Sequence, residues 1–284
     1  MKNNKKISND KKIYQKNEKI MSLDRKIYLK NIRIKKFTIL FFQIAILVGF
    51  ITVWEILGDL EIIDTFIMSK PSRILDTFMN LTSNDLLHHI AVTSYETVVG
   101  FLIGTTLGSL IAIILWWSDY LSAIFEPYLV VLNSLPKVAL GPMIIIWVGA
   151  GTPAIIVMAV AISLIVTILE NLNGFLKTDK ELIKMAQTFK ASKFQILTKI
   201  VIPANISTFI NSLKVNIGLS LVGVISGEFL VSKAGLGYLI VYGGQVFKLD
   251  LVMTSVLILG VLAGVMYGAV LLLEKIISKT RLKI

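Results

Sequence analysis

The sequence predicts an all-α integral membrane protein, a bundle of six transmembrane helices with both termini in the cytoplasm. Three observations carry that expectation. Of 284 residues, 55% are hydrophobic and only 17% charged, with a mean hydropathy of +0.77. A water-soluble domain carries about 25% charged residues, and a chain this short has too little interior to hide the apolar surplus. Second, the apolar residues fall in uncharged runs long enough to cross the hydrocarbon, which takes about 20 helical residues. Third, the basic charge is unevenly placed. Residues 1–36 hold 13 Lys/Arg against 3 Asp/Glu, and the remainder is nearly neutral. The net charge of +11 is therefore a tail and not a nucleic-acid-binding face. The absence of cysteine excludes disulfides, thiolate metal sites and cysteine nucleophiles. His88 and His89 are the only imidazoles, too few for a histidine-built metal centre.

Residues 1–36 lack a long apolar face and read as a mostly disordered cytoplasmic tail. Its charge fixes topology by the positive-inside rule; binding of anionic lipid or RNA is the alternative role. Phe37 to Trp54 is uncharged and, at about 27 Å of helix, spans the bilayer. It is longer than the apolar core of a signal peptide, so residues 37–57 form the first anchor.

Thr97 to Ser118 gives the second span. Val138 to Leu169 is also uncharged, but about 48 Å of helix is too long for one crossing. Gly149-Ala150-Gly151-Thr152-Pro153 supplies the break. The third span, about 127–148, then has to borrow Pro127 to Pro136 and carry Lys137; the fourth is about 152–169. Pro203 opens the fifth, about 204–227, and the sixth is about 251–273. Residues 278–284 form a cytoplasmic end. The charges agree with this topology. The loop 171–203 holds six lysines against Asp179 and Glu181, and the outer loop 58–96 is rich in acid. Asp119 and Glu126, on the inner side without a basic neighbour, are the exception. Trp54, Trp116, Trp117 and Trp147 fit interfacial positions. Gly100, Gly104 and Gly108 in the second span, and Gly260, Gly264 and Gly268 in the sixth, repeat every fourth residue. Each set lies on one face and lets a neighbouring backbone approach, within the subunit or across a dimer seam.

The inner loop is patterned. Thr178-Asp179-Lys180-Glu181 fits a capping box, and Leu182, Met185, Ala186 and Phe189 follow at i, i+3, i+4 and i+7. Ser192-Lys193-Phe194-Gln195 fits a second box, with Phe194, Leu197 and Val201 running on to Pro203. Two short amphipathic helices with a bend near Lys190-Ala191 are expected, lying on lipid headgroups or docking a cytosolic protein.

Lys184-Met185-Ala186, Lys190 and Ile200-Val201-Ile202-Pro203 have the spacing of the cytoplasmic coupling motif of bacterial ABC-importer permeases, whose pattern is Glu-Ala-Ala, three residues, Gly, nine residues, Ile-x-Leu-Pro. Leu135-Pro136-Lys137-Val138-Ala139-Leu140-Gly141-Pro142 with Ile146-Trp147-Val148-Gly149 is similar to the central segment of the nitrate/sulfonate/taurine branch. Glu228 with Gly235-Leu236-Gly237-Tyr238-Leu239-Ile240 resembles its late element, and Ser69-Lys70-Pro71-Ser72 its early one. The resemblance covers residues 66–277. Lys184, Met185 and Lys190 depart from it, and a lysine at a left-handed bend costs about 1 kcal/mol.

The resemblance implies the fold of a type I importer permease and a bacterial cytoplasmic-membrane location. It further implies a homodimer, two cytosolic ATP-binding subunits holding residues 178–200, and an external solute-binding lipoprotein. The solute is then small and anionic, of the nitrate, sulfonate or taurine kind, with vitamin precursors as the alternative. The chain has no phosphate-cradling P-loop, so ATP and Mg2+ belong to the partner and no catalytic residue, cofactor or metal is assigned here. The coupling residues are Lys184, Met185, Ala186, Phe189, Lys190, Ala191, Ser192, Phe194, Leu197 and Pro203. Pathway positions are Pro136, Lys137, Pro142, Lys214, Glu228, Gly235 and Gly237; snorkelling or a backbone carbonyl is the competing account of the lysines. His88 and His89 are placed in a solvated outer segment. A self-contained secondary transporter is the competing class, but it needs intramembrane ion-coupling carboxylates, and only Glu55 and Glu228, both near span ends, are available to this reading. An intramembrane enzyme lacks paired carboxylates or a nucleophile–base set.

Overall fold

The computed structural model describes the backbone of residues 2–82 and 85–281, and side-chain surroundings for Arg25, Tyr28, residues 30–81 and residues 85–277. The chain divides into two compact units, Met1–Thr65 and Phe66–Ile284. The first is one helix, α1 (Lys2–Asp59), containing the apolar span Lys30–Asp59. The helix of the anchor runs back without a break to Lys2. Residues 1–36 contain neither Gly nor Pro, and extending the anchor helix needs no new nucleation.

The second unit begins with α2 (Thr65–Met68) and α3 (Pro71–Thr82). α4 (Leu86–Trp116) and the pair α5 (Asp119–Ser134) and α6 (Gly141–Val148) follow, the last two joined by a 3-10 turn at Lys137–Leu140. α7 (Thr152–Leu176) leads to the inner segment α8 (Lys180–Thr188) and α9 (Lys193–Ile196). A π-turn at Leu197–Val201 and α10 (Ile202–Ala204) then enter α11 (Ile206–Val231). α12 (Leu236–Gln245) and α13 (Leu249–Arg281) complete the chain. Among the described residues, five helices are long and apolar enough to cross a membrane, and the number is six when α5 and the segment Lys137–Val148, bent by 86° at their junction, are counted as one span. Pro136, which has no N–H to donate, sits at that bend. The second span starts at Leu86, eleven residues before its expected start at Thr97, and the third includes Asp119.

α4, α7 and α11 form the core, and the glycines explain how. A β-carbon at Gly100 would stand 2.6 Å from that of Ala159, and one at Gly108 2.6 Å from the Thr167 Cβ; at Gly104 it would meet the Ser163 hydroxyl. Both helices advance together, so α4 and α7 run parallel. A β-carbon at Gly223 would lie 2.6 Å from the Ala159 Cα, and at Gly227 3.0 Å from the Ile155 Cα, so α11 runs antiparallel to α7. Buried hydroxyls on these faces donate to carbonyls one turn back, as Thr105 does to Phe101, Ser163 to Ala159 and Thr167 to Ser163. Polar atoms are thereby satisfied in a low-dielectric interior. Asn171 Nδ2 bridges α7 to α4 through the Ser109 hydroxyl at 3.0 Å. The break before α7 is as expected: Gly149 and Gly151 have φ of 92° and 109°, a region closed to residues with a β-carbon. The second glycine set differs. A β-carbon at Gly260, Gly264 or Gly268 would meet nothing within 4 Å, so these glycines do not serve close packing within the chain.

At the outer end, the Ser69 hydroxyl donates to Asp250 Oδ1 at 2.6 Å, with Arg73 at 4.0 Å from the same carboxylate. The early Ser-Lys-Pro-Ser element thereby ties the start of α3 to the start of α13.

Candidate functional site

The inner segment is a folded projection. Ala186, Ile196, Leu197 and Val201 are buried against Ala112, Leu115, Trp116, Leu129, Leu172 and Phe175, from the cytoplasmic ends of α4, α5 and α7. The sequence stripe is therefore divided. Ala186 and Leu197 face inward, whereas Phe189 is 80% and Phe194 62% exposed, with Leu182 and Met185 also outward. One-sided burial of this kind holds two aromatic rings in water on a rigid base.

Local chemistry fixes the bend. Ser192 caps α9 as expected: its hydroxyl accepts from the Gln195 N–H at 3.3 Å, and the Gln195 side chain accepts from the Ser192 N–H at 2.8 Å. The first box is shifted by one residue. Asp179, not Thr178, caps α8 by accepting from the Glu181 N–H at 2.8 Å. Thr178 instead accepts from Asn205 Nδ2 at 2.7 Å, joining the two ends of the segment. Lys190 has φ of 57°, the left-handed conformation that the family's glycine suits. The Ala191 N–H reaches the Ala186 carbonyl at 3.0 Å and the Lys190 N–H that of Gln187 at 2.8 Å, a helix end of the Schellman kind. Lys190→Gly is expected to raise stability by roughly 0.5–1 kcal/mol, the left-handed penalty exceeding glycine's extra unfolded entropy; thermal unfolding of the purified chain checks it. Pro203 accounts for the π-turn, since it cannot donate to the carbonyl four residues back and crowds it. Lys193 Nζ donates to the Trp117 carbonyl, anchoring α9 to the end of α4. Lys184 and Ser192 are exposed and Ala191 half-buried.

The proposed pathway residues separate into three places. Pro136, Lys137 and Pro142 lie at the bend between α5 and α6, where Lys137 Nζ donates to the Asn133 carbonyl at 3.0 Å and its side-chain oxygen at 3.3 Å. Lys214 is not a free cation: its ammonium sits 2.7 Å from Glu274 on α13. Glu228, Gly235 and Gly237 meet at the outer end, but in a closed cluster and not on an open wall. Glu228 is 1% exposed. Its Oε1 accepts from the Thr93 hydroxyl at 2.7 Å and its Oε2 from the Gly237 N–H at 2.5 Å. Thr93 in turn accepts from the Leu236 N–H at 2.8 Å. A β-carbon on Gly235 or Gly237 would collide with the Glu228 carboxyl, so both glycines are required by close approach.

Sequence reasoning missed Thr93, Glu96 and His89 here. His89 is not in a solvated loop; it lies in α4, accepts from the Gly235 N–H at 3.0 Å on Nδ1 and stacks on Tyr238. Glu96 is 1% exposed. The signal was present as polar residues at His89, Thr93 and Glu96-Thr97, three to four positions apart, on one helical face that runs on into Gly100. On the inner side, a cavity of about 380 Å³ between α7 and α11 is walled by Glu170, Asn173, Lys177, Thr208, Asn211 and Ser212.

Spans packed in this way, with a folded inner projection between α7 and α11, define the class of the protein: a permease subunit of an ATP-driven (ABC) importer, a multi-pass membrane component. The chain belongs to the family of binding-protein-dependent transport system inner membrane components, which it matches over residues 104–282. It is 25% identical over 232 residues to the aliphatic sulfonates transport permease protein SsuC of Bacillus subtilis (strain 168), covering 81% of this chain and 84% of that one. It is 23% identical over 231 residues to the formylaminopyrimidine transport permease protein ThiX of Halalkalibacterium halodurans, covering 81% and 92%. The inward-facing structure of the MetNI methionine ABC transporter superposes with a TM-score of 0.60 at 18% identity, over 68% of this chain and 95% of that chain. At that identity the likeness concerns the fold.

Proposed function

We propose that two copies of this chain enclose a pathway for a small anionic solute of the sulfonate or taurine kind, delivered by an external solute-binding lipoprotein. Two cytosolic ATP-binding subunits, carrying ATP and Mg2+, hold residues 178–200 and drive alternating access. The observation that carries this is the projection itself, whose outward Phe189 and Phe194 stand on a buried base. Exposed aromatic pairs on a rigid support are what a partner's pocket takes hold of. ATPase closure then biases a two-state packing of helices, a cytosolic ligand binding one state better than the other. The open glycine face of α13 is available for close helix approach between copies.

Two observations support a polar, anionic solute. Lys137 sits at the bend of a broken span, irregular backbone that at membrane depth is tolerated only against protein or a water-filled cavity, and its partners are neutral oxygens. The inner cavity is walled by polar groups, the Asn173 and Asn211 amides and the Thr208 and Ser212 hydroxyls together with Glu170 and Lys177. Lys214 is left out of the pathway because Glu274 neutralises it. The relative named for formylaminopyrimidine keeps vitamin precursors as the second reading of the solute.

The test is uptake by vesicles containing the chain, its ATP-binding subunit and its binding protein. Uptake of an aliphatic sulfonate that requires ATP hydrolysis supports the proposal; uptake under an ion gradient alone, without the ATPase, defeats it. Lys137→Gln is expected to lower sulfonate uptake about tenfold, the equivalent of roughly 1.4 kcal/mol, with ATPase assembly intact. Undiminished uptake would remove Lys137 from the pathway.

A further inference from the structure

The outer cluster has fewer donors than its acceptors require. Glu96 stands beside the Glu228 carboxyl and the Thr152 hydroxyl, yet both Glu96 oxygens are buried and neither meets a donor at hydrogen-bond geometry. Apart from the Thr152 hydroxyl, the neighbouring donors are committed. The Thr93 proton goes to Glu228 and the Thr97 proton to the Thr93 carbonyl. The Gly237 N–H goes to Glu228, the Leu236 N–H to Thr93 and the Gly235 N–H to His89. Among the described residues, the ion pairs of Arg73 with Asp250 and of Lys214 with Glu274 involve neither carboxyl. The groups facing the pair are Thr93 and Thr97 from α4, Thr152 from α7 and the Gly237 N–H from α12. His89 lies one turn away, engaged with Gly235 and Tyr238, and Asp85 and Lys233 lie beyond it at exposed positions.

Two buried carboxyl groups side by side, with no cation between them, cannot both be ionised at acceptable cost. We propose that Glu96 and Glu228 hold one proton between them. This acid–carboxylate bond clasps α4, α7, α11 and the start of α12 together at the outer end of the bundle. The proton comes from solvent as the cluster closes. It lies on one carboxyl and is accepted by the other, which satisfies the Glu96 oxygen facing Glu228. This inference concerns the chain alone and does not depend on which solute it carries or what drives it.

The full-length protein, purified in detergent or bilayer, gives the test. Infrared spectroscopy is expected to show a protonated carboxylic C=O band that persists at neutral pH and disappears in both Glu96→Gln and Glu228→Gln. In thermal unfolding, Glu96→Gln is expected to match the wild type at neutral pH, because its amide N–H replaces the shared proton. The wild type is expected to lose thermal stability as the pH rises to alkaline values, because the proton is then removed and two anions face each other; Glu96→Gln is expected to lose that dependence. Absence of the band from the wild type, or an unchanged alkaline loss in Glu96→Gln, overturns the proposal. So does stabilisation by added sodium in place of the pH effect, which would mean that a metal cation and not a proton lies between the carboxyls. Should Glu96→Gln fail to fold, the wild-type band and Glu228→Gln decide the matter.

Discussion

Replacing Phe189 and Phe194 together by aspartate is expected to abolish co-purification of the ATP-binding subunit while leaving the permease itself folded. Both rings lie largely in water, so their loss removes little packing, and exposed substitutions of this kind shift stability by about 0.5 kcal/mol or less. At an interface the same rings are of the type that carries most of the binding energy. Truncating an aromatic hot spot costs about 2 kcal/mol or more, roughly 30-fold in affinity each, and a carboxylate placed in its pocket costs further. The measurement is co-purification together with thermal unfolding of the double variant. Retained association at normal stoichiometry would mean that the projection is not the docking element. A contrast is available on the inward side of the same segment: Leu197 and Val201 are buried, so polar substitutions there should lower stability first.

Gly235→Ala is expected to be among the most damaging single-methyl changes in the chain. Gly235 has φ of 109° and ψ of 167°, a conformation essentially closed to residues with a β-carbon and costing on the order of 1–3 kcal/mol. The added carbon also collides with the Glu228 carboxyl. Displacing that carboxyl breaks its bonds from Thr93 and Gly237 in a buried site, where an unsatisfied polar group costs about 1–3 kcal/mol and a charged one more. The combined loss is about 3 kcal/mol or greater, read as lower expression and a lowered unfolding midpoint. Gly218→Ala is the control, because a methyl there meets nothing within 4 Å and should be neutral or mildly stabilising. Equal effects from the two changes would show that the Gly235 geometry is not what holds the start of α12.

Much of this architecture is written in the chain's composition and punctuation. The apolar runs gave the spans, and Gly149-Ala150-Gly151-Thr152-Pro153 marked the turn into α7 because few residues tolerate those dihedral angles. The Ser192–Gln195 box and the Pro203 stop are local chemistry, legible within a few residues. What escaped was tertiary. Leu86 to Glu96 carries two histidines, hydroxyls and a carboxylate, which reads as loop until Gly235, Leu236 and Gly237 arrive from 140 or so positions later to satisfy the polar groups. The pairing of Lys214 with Glu274 spans two helices and has no sequence period to reveal it. The division of the Met185–Phe189 stripe into a buried and an exposed side depended on where the ends of α4, α5 and α7 present their apolar residues.

The tight seating of α4 and α11 on α7 also limits how the molecule can move. With Gly100, Gly108, Gly223 and Gly227 bringing neighbours almost into backbone contact, a slide of one helix past another would drive β-carbons into main chain. Those three helices are obliged to travel as a single block. Shape change during a transport cycle then falls to the joints around it, first of all the 86° corner between α5 and α6, where a proline leaves the main chain without a hydrogen bond to give up.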